Sequence, residues 1–539
     1  MKLFTALQLS AFLLFAHLIG ESPRLTLLIV IDQFAYHELL AHKKFFTGGL
    51  KKLIDQGLFY QNAFHAHAMP ETSVGHATLS TGTTPSQHGY IANNWITPDG
   101  VQRKADEGTP QETIIDAPRA LPAGPSYLMV DTLADQIALN SAEPTNVVTL
   151  SLKSHAAIAL AGRLGNPYWF DASTGFFTTS GAYAKELPLW IREFNKTAGI
   201  TELTQVSWDL VYPKESDAYA HVDMNTYNYA ATKEPIAGTI IQIDRSKKLP
   251  FDGYERSPES HRALLALTQK YLDTQKENGQ RTIIFLSINN LDKVGHLYGP
   301  NSYEIIDTLY HLDRDLGTFF DSLNTFAKPE ETLIALTADH GVFPILETLP
   351  ARGIFFAKRA SAPQIINAMN ELVAQEFGIE NLVIGYISPQ FYLNQNKIAD
   401  LDSATHQAIL AELIEFLKTQ PVIRDAWSYE EILKTPCPVD DIRQLYKNQL
   451  YFGRSGDIIV QVRPYTYIDH FTSGTAHGAP YDYDTHVPLI FYQQNVLPAR
   501  KIDRMVYTTQ VAPTIALRLG VPRPSASRTE VLHEVVSLQ

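Results

Sequence analysis

Four short runs set the frame for this chain. RLTLLIVIDQF (24–34), RTIIFLSINNLD (281–292), ETLIALTADHG (331–341) and VPLIFYQ (487–493) are apolar without alternation, and each turns polar at its end. A strand that is apolar on both faces has to be covered on both. Helical patterns lie between the runs, notably SPESHRALLALTQKYLDTQKEN (257–278) and SYEIIDTLYHLDRDLGTFFDSL (302–323). Strands alternating with helices predict an α/β core, a doubly wound and mostly parallel sheet with helices on both faces. At 539 residues the chain also exceeds a single core, since cores stop growing near roughly 250–300 residues.

The pattern changes after Gly341. The segment 346–469 has its own helical run, SATHQAILAELIEFLKT (403–419), and a strand-like stretch, FYLNQNKI (391–398). It reads as a smaller α+β subdomain inserted into a core formed by 21–345 and 470–539. Lid insertions are expected around 100–255, among them YWFDASTGFFTTS (168–180), a hairpin with a Thr-Gly turn. Residues 1–20 have the layout of a secretory signal peptide: Lys2, then an apolar stretch ending in LIG. The alternative is a retained anchor, which Gln8, Ser10 and His17 weaken. Export to the periplasm or the medium is the expectation, and the membrane is met only through that signal. Cys437 is the only cysteine, so no internal disulfide forms and stability has to come from packing or bound metal. The net charge of −13 excludes an extended basic nucleic-acid surface.

In open α/β sheets, ligands bind beyond the carboxyl ends of the strands. Asp32, Asp292 and Asp339 stand there, each at the close of an apolar run. Asp292 and His296 form D-x-x-x-H, a spacing that brings both side chains to one helix face. Asp339 and His340 can reach one ion only if the strand stops at Gly341. GTAHGAPYDYD (474–484) adds His477. Carboxylates mixed with imidazoles suit zinc or a similar first-row ion. PETSVGHATLSTG (70–82) places Thr72 at the expected start of a helix, as its cap and as a hydroxyl able to attack. His65 and His67, in FHAHAM, read as lining an approach to the site rather than as ligands. Asp402 or Ser403 reads as a helix N-cap. His37, His42 and His470 read as surface residues.

Taken in order, VIDQF, T-x-x-G-H, D-x-x-x-H, DHG and TAHG resemble the alkaline phosphatase superfamily, in its type I phosphodiesterase/nucleotide pyrophosphatase branch. The nearest likeness is to the threonine-nucleophile bacterial alkaline phosphatases, and it runs over almost the whole chain. The resemblance implies two zinc ions. Asp32, Thr72, Asp339 and His340 would surround one, and Asp292, His296 and His477 the other. It makes Thr72 the nucleophile that becomes phosphothreonine, and Asn93 (HGYIANNW) and Lys153 (SLKSH) the contacts to the phosphoryl oxygens. One position departs from that pattern. The monoesterases carry K-x-R, whereas this chain has Lys153-Ser154-His155. Histidine lacks the five-donor fork of arginine.

The expected activity is therefore that of a secreted zinc-dependent phosphomonoesterase acting on a small phosphorylated substrate. A phosphodiesterase or nucleotide pyrophosphatase on the same metals is the alternative, and a metal-binding protein without turnover is a remote third. The sequence leaves the oligomeric state open.

Overall fold

The computed structural model describes residues 22–118, 121–232, 234–439, 441–469 and 472–537. Residues 1–20, read above as an export signal, and His470 lie outside the described residues. Nine strands make the main sheet: β1 (Leu25–Ile31), β2 (Leu58–Phe64), β3 (Thr145–Ser151), β4 (Pro167–Asp171), β5 (Phe176–Thr178), β6 (Arg281–Ile288), β7 (Thr332–Thr337), β8 (His486–Tyr492) and β9 (Arg500–Tyr507). Their order across the sheet is β9-β2-β8-β7-β1-β6-β3-β4-β5. β7, β1, β6 and β3 are successive parallel neighbours, while β8 runs antiparallel to both β7 and β2. The large sheet with helices on both sides is the architecture the apolar runs predict.

The composition of β1 explains the layering. Leu25, Leu27, Ile29 and Ile31 enter one buried cluster, and Leu28 and Val30 enter the cluster on the opposite face. Side chains alternate across a strand, so a run apolar at every position feeds two cores at once. Among the helices that cover the sheet or line its edge are α1 (Thr72–Thr81), α2 (Ser154–Ala161), α3 (Asp252–Arg256), α4 (Pro258–Gln275), α5 (Asn290–Tyr298) and α6 (Tyr303–Leu323). α6 starts where Ser302 accepts a hydrogen bond from the Ile305 amide, an N-cap that satisfies one free donor of the first turn.

A separate antiparallel sheet lies between Val383 and Val462, in the order Val383–Ile387, Gln390–Leu393, Ile458–Val462, Ile423–Ser428. It shares a core with helix Ala362–Phe377 and with α7 (Ser403–Lys418). Asp402 caps α7 by accepting from the Ala404 and Thr405 amides.

Four expectations need correction. The strand read over 391–398 ends at Leu393, because the Asn394 side chain accepts from the Asn396 and Lys397 amides and starts a short helix. The 168–180 hairpin exists, but as β4 and β5 it is the far edge of the main sheet and not a lid. His42 is buried, with Nδ1 3.1 Å from the Tyr310 hydroxyl; His37 is exposed as expected. His65 and His67 are core residues rather than an approach. His65 is held between the Ala338 carbonyl and the Thr508 hydroxyl, and His67 packs against its ring.

Candidate active site

Parallel strands deliver their following residues to one edge of a sheet. After β7 come Asp339 and His340, after β1 Asp32, after β6 Asn289 and Asp292, and after β3 Lys153. β8 enters the sheet from that same edge, which brings the preceding segment with His477 there too. α1 follows β2, and β2 is parallel in sense to β7. The predicted residues therefore meet through strand order alone.

Two glycines let the backbone close up. A Cβ at Gly75 would lie 2.1 Å from the Asp339 carbonyl oxygen, so only glycine lets α1 press against the end of β7. A Cβ at Gly341 would lie 2.1 Å from the Tyr483 carbonyl oxygen. β7 does stop before Asp339, at Thr337, as the expected break requires, and the glycine at 341 also serves a close approach to a neighbouring segment.

The expected ligands form two adjoining groups. Asp292, His296 and His477 are one, and Asp32, Asp292 and His340 another, with ligand atoms in each within 4.8 Å of one another. His296 Nε2 and His477 Nε2 lie 3.2 and 3.6 Å from Asp292 Oδ1. His340 Nε2 lies 3.2 Å from Asp32 Oδ1 and 3.5 Å from Asp339 Oδ2. The His340 and His477 rings stack at 3.6 Å, so the two groups touch.

This donor set fits metal. Each histidine has Nδ1 against a backbone carbonyl: Thr475 for His296, Gly341 for His340, Pro70 for His477. A carbonyl can only accept, so Nδ1 carries the hydrogen and Nε2 keeps its lone pair for a cation. Asp32 Oδ1, Asp339 Oδ2 and His340 Nε2 are buried without hydrogen-bond partners, which polar atoms in a core rarely tolerate unless an ion satisfies them.

Electrostatics follow from the crowding. For Asp32, burial and the charge of Asp292 push upward, but Lys153 and His340 outweigh them and hold it well below the carboxylate range. Asp292 is likewise lowered, its burial overcome by His296 and Lys153. Asp339 is raised by burial and by the charge of Asp32. Burial works against the charged form of His340, yet Asp339 and Asp32 carry it up to about 10. Burial and the neighbouring His340 depress His477 well below its usual value.

Thr72 is the first residue of α1, and the cap position belongs to Glu71, whose backbone is extended at φ −129° and ψ 167°. Thr72 makes no capping bond, so the expected double role reduces to presenting its hydroxyl at the helix's positive end. Glu71 closes a small ring instead. Its carboxylate accepts from the Asn93 amide at 2.6 Å, and Asn93 Oδ1 accepts from the Ser73 amide at 2.9 Å. Asn93 is left with Nδ2 as its donor. Lys153 Nζ donates to Asp32 Oδ2 at 2.7 Å, to Thr72 Oγ1 at 3.3 Å and to Asp292. Thr72, Asn93, Lys153, His155, Asp292 and His296 all line one cavity of about 340 Å³. A cavity of similar size, about 350 Å³, lies between Ile96–Pro98 and the small sheet and holds none of the predicted residues. His155 lines the cavity that holds Thr72, with burial pushing its imidazole down to about 4 against the pull of Asp106.

Sequence reasoning missed the residues that hold the ligands. Asn289 donates to Asp32 at 2.8 Å and accepts from Ser151 and Leu152. Gln33 donates from its side chain to Asp292 and from its backbone to Asp339. His76 spans the Thr72 carbonyl, the Ser287 hydroxyl and Asp339. Gln33 and Asn289 signal only by adjacency, Gln33 following Asp32 and Asn289 opening the NNLD turn, while His76 closes the T-x-x-G-H motif without a role assigned to it there. Arg256 and Lys293, also on the cavity wall, gave no signal at all.

A parallel-edge site that joins a helix-N-terminal hydroxyl, two contiguous candidate ligand groups and nearby amide and ammonium donors is of a kind suited to phosphoryl transfer. The chain belongs to the type I phosphodiesterase/nucleotide pyrophosphatase family, whose profile matches residues 26–484. It is 28% identical over 542 residues to alkaline phosphatase PafA of Elizabethkingia meningoseptica, covering 95% of this chain and 94% of that protein. It is 26% identical over 528 residues to alkaline phosphatase PhoV of Synechococcus elongatus, covering 95% and 93%. The crystal structure of wild-type PafA superposes with a TM-score of 0.83 at 24% identity over 96% of this chain and 99% of that one. Murine ectonucleotide pyrophosphatase/phosphodiesterase 5 superposes with a TM-score of 0.52 at 13% identity, covering 92% and 95%. This protein is thus a phosphate-ester hydrolase of the alkaline phosphatase and phosphodiesterase superfamily.

Proposed function

We propose that the chain is an exported phosphate-monoester hydrolase that works through a phosphothreonine at Thr72. The carrying observation is the position of the Thr72 hydroxyl, at a helix N-terminus, 3.3 Å from Lys153 Nζ and in one cavity with Asp292 and His296. Asp32, Asp339 and His340 would hold one zinc ion, and Asp292, His296 and His477 the other. Bound there, zinc supplies Lewis acidity, favouring the alkoxide of Thr72 and neutralising charge on the departing oxygen.

The chain's residues do the rest. Thr72 Oγ bonds to phosphorus as the ester P–O bond breaks, and the leaving group departs as an alcohol or phenol. Water then attacks the phosphothreonine and frees Thr72 and inorganic phosphate. Asn93 Nδ2 donates to a non-bridging oxygen throughout, and its orientation is fixed by Glu71 and Ser73. Lys153 leaves the carboxylates it bridges and turns its charge to the phosphoryl group. The alkaline phosphatase names of PafA and PhoV support the monoester reading.

One observation favours a second reading, phosphodiester or pyrophosphate cleavage: residue 155 is a half-buried imidazole, held toward its neutral form, where a second cation would help bind a dianion. Turnover on one zinc-loaded sample separates the two. The first reading expects kcat/KM for an aryl monoester to exceed that for the matching diester by about 10²-fold or more, and the reverse order would select the second. Thr72→Ala should lower kcat by roughly 10³-fold or more with zinc retained. Persistent activity in that variant would remove Thr72 from the reaction.

A further inference from the structure

Two cations on the cavity wall are unused by the mechanism above. Arg256 closes α3, and Lys293 follows Asp292 on α5; both line the cavity with Thr72 and Asn93. Each is met by an acid from α3, Arg256 by Asp252 at 2.5 Å and Lys293 by Glu255 at 2.7 Å. Neither acid lines the cavity, so the wall here presents the two cationic side chains beside Asp292.

The two pairs differ in stiffness. Glu255 is buried, and Lys293 is anchored to it. The Arg256–Asp252 pair joins side chains about 30% exposed, four residues apart. Such a partly exposed i,i+4 pair is weakly held, so the guanidinium can leave it for a stronger acceptor. Lys153 is shared among Asp32, Asp292 and Thr72, and residue 155 is an imidazole. A phosphoryl dianion entering the cavity therefore finds its second full positive charge on Arg256. The volume, about 340 Å³, sits near the lower end of the roughly 300–1,000 Å³ typical of ligand pockets. That suits one phosphoryl group and part of its ester, rather than a ligand with a distant second anion.

We propose that Arg256 binds the non-bridging oxygens of a dianionic phosphate monoester and sets the preference for monoesters over diesters, doing from α3 what residue 155 does not. A planar five-donor fork suits two phosphoryl oxygens, and a diester, with one negative charge fewer, gains less from it. This rests on the monoester reading above.

The test compares wild type with Arg256→Gln, both zinc-loaded, on phenyl phosphate and on methyl phenyl phosphate. Arg256→Gln should lower kcat/KM for the monoester by roughly 10²-fold and the monoester-to-diester ratio by at least about 10-fold. Adding His155→Arg should restore part of that ratio. Inorganic phosphate, titrated calorimetrically, should bind the variant at least about 10-fold more weakly. An unchanged ratio with unchanged phosphate affinity overturns the proposal, as does a loss seen only with substrates that carry a second phosphate on the leaving group. If wild type prefers the diester, the monoester reading fails by itself, and the phosphate titration still decides whether Arg256 binds the anion.

Discussion

Glu38 is 4% exposed, and neither of its carboxylate oxygens has a hydrogen-bond partner. Burial pushes its carboxyl from the ordinary 4.5 up to about 8. Between those values the folded chain keeps a proton that the unfolded chain has released. The stabilisation is complete below pH 4.5 and is lost as pH rises through about 8. Glu38→Gln should therefore flatten the fall in melting temperature from pH 5 to pH 9 and raise stability at the alkaline end by a few kcal/mol. Calorimetry across that range checks it; an equal slope in both proteins would mean the carboxyl titrates normally. At this scale the reading of the sequence was uneven. Asp32, Asp292, His296, Asp339 and His340 could be picked out because each pairs a ligand chemistry with a strand end or a helical spacing, and His477 because it stands in a further His-Gly pair. Arg256 could not, since it ends a five-residue helix within a long irregular segment and only the folded chain brings it to the cavity wall. His42 was misjudged because nothing local reports that Tyr310, far along the chain, covers it.

Elements explain why the T-x-x-G-H motif needs its glycine. α1 lies so close to the end of β7 that a methyl group at residue 75 would overlap the Asp339 carbonyl. Gly75→Ala gains helix propensity but has to push α1, and His76 with it, away from Asp339 and the Ser287 hydroxyl. The expected outcome is a net loss of about 1–3 kcal/mol, as for overpacked cores, with activity falling further than stability because Thr72 and Asp339 separate. Urea melts and kcat on the same preparation measure both; full activity in a folded variant would show that the contact is soft. The apolar strands and long helices were readable for a related reason, since burial on two faces leaves an unbroken apolar run. The role of β4 and β5 was not. A hairpin's turn chemistry is local, but whether it extends a sheet or folds over a site depends on a partner strand elsewhere, here β3.

On the scale of the molecule, three buried aspartates meet at one sheet edge, with Lys153 the one lysine or arginine bonded to them among the described residues. Bound cations would relieve that repulsion, so stability is linked to metal. At a thousandfold excess over Kd a ligand that binds only the folded state adds about 4 kcal/mol. A chelator should lower the melting temperature by several degrees and added zinc should restore it; an unchanged transition would mean that these side chains hold no ion. The Asp292–His296–His477 group is the one to watch, since His296 is the most exposed of the imidazoles and opens a route for exchange.

The strand order has a consequence for how the protein comes into being. Among the described residues β2, near the start of the chain, pairs only with β8 and β9, which come from its end. Until nearly the whole polypeptide has been synthesised, that early strand has no neighbours, and the imidazole of His477 does not yet exist. Neither the flank of the sheet nor the complete ion-binding cluster can form on a nascent fragment. If the chain is threaded through a membrane before it folds, the enzyme stays inert on the side where it is made and acquires its ions where it is delivered.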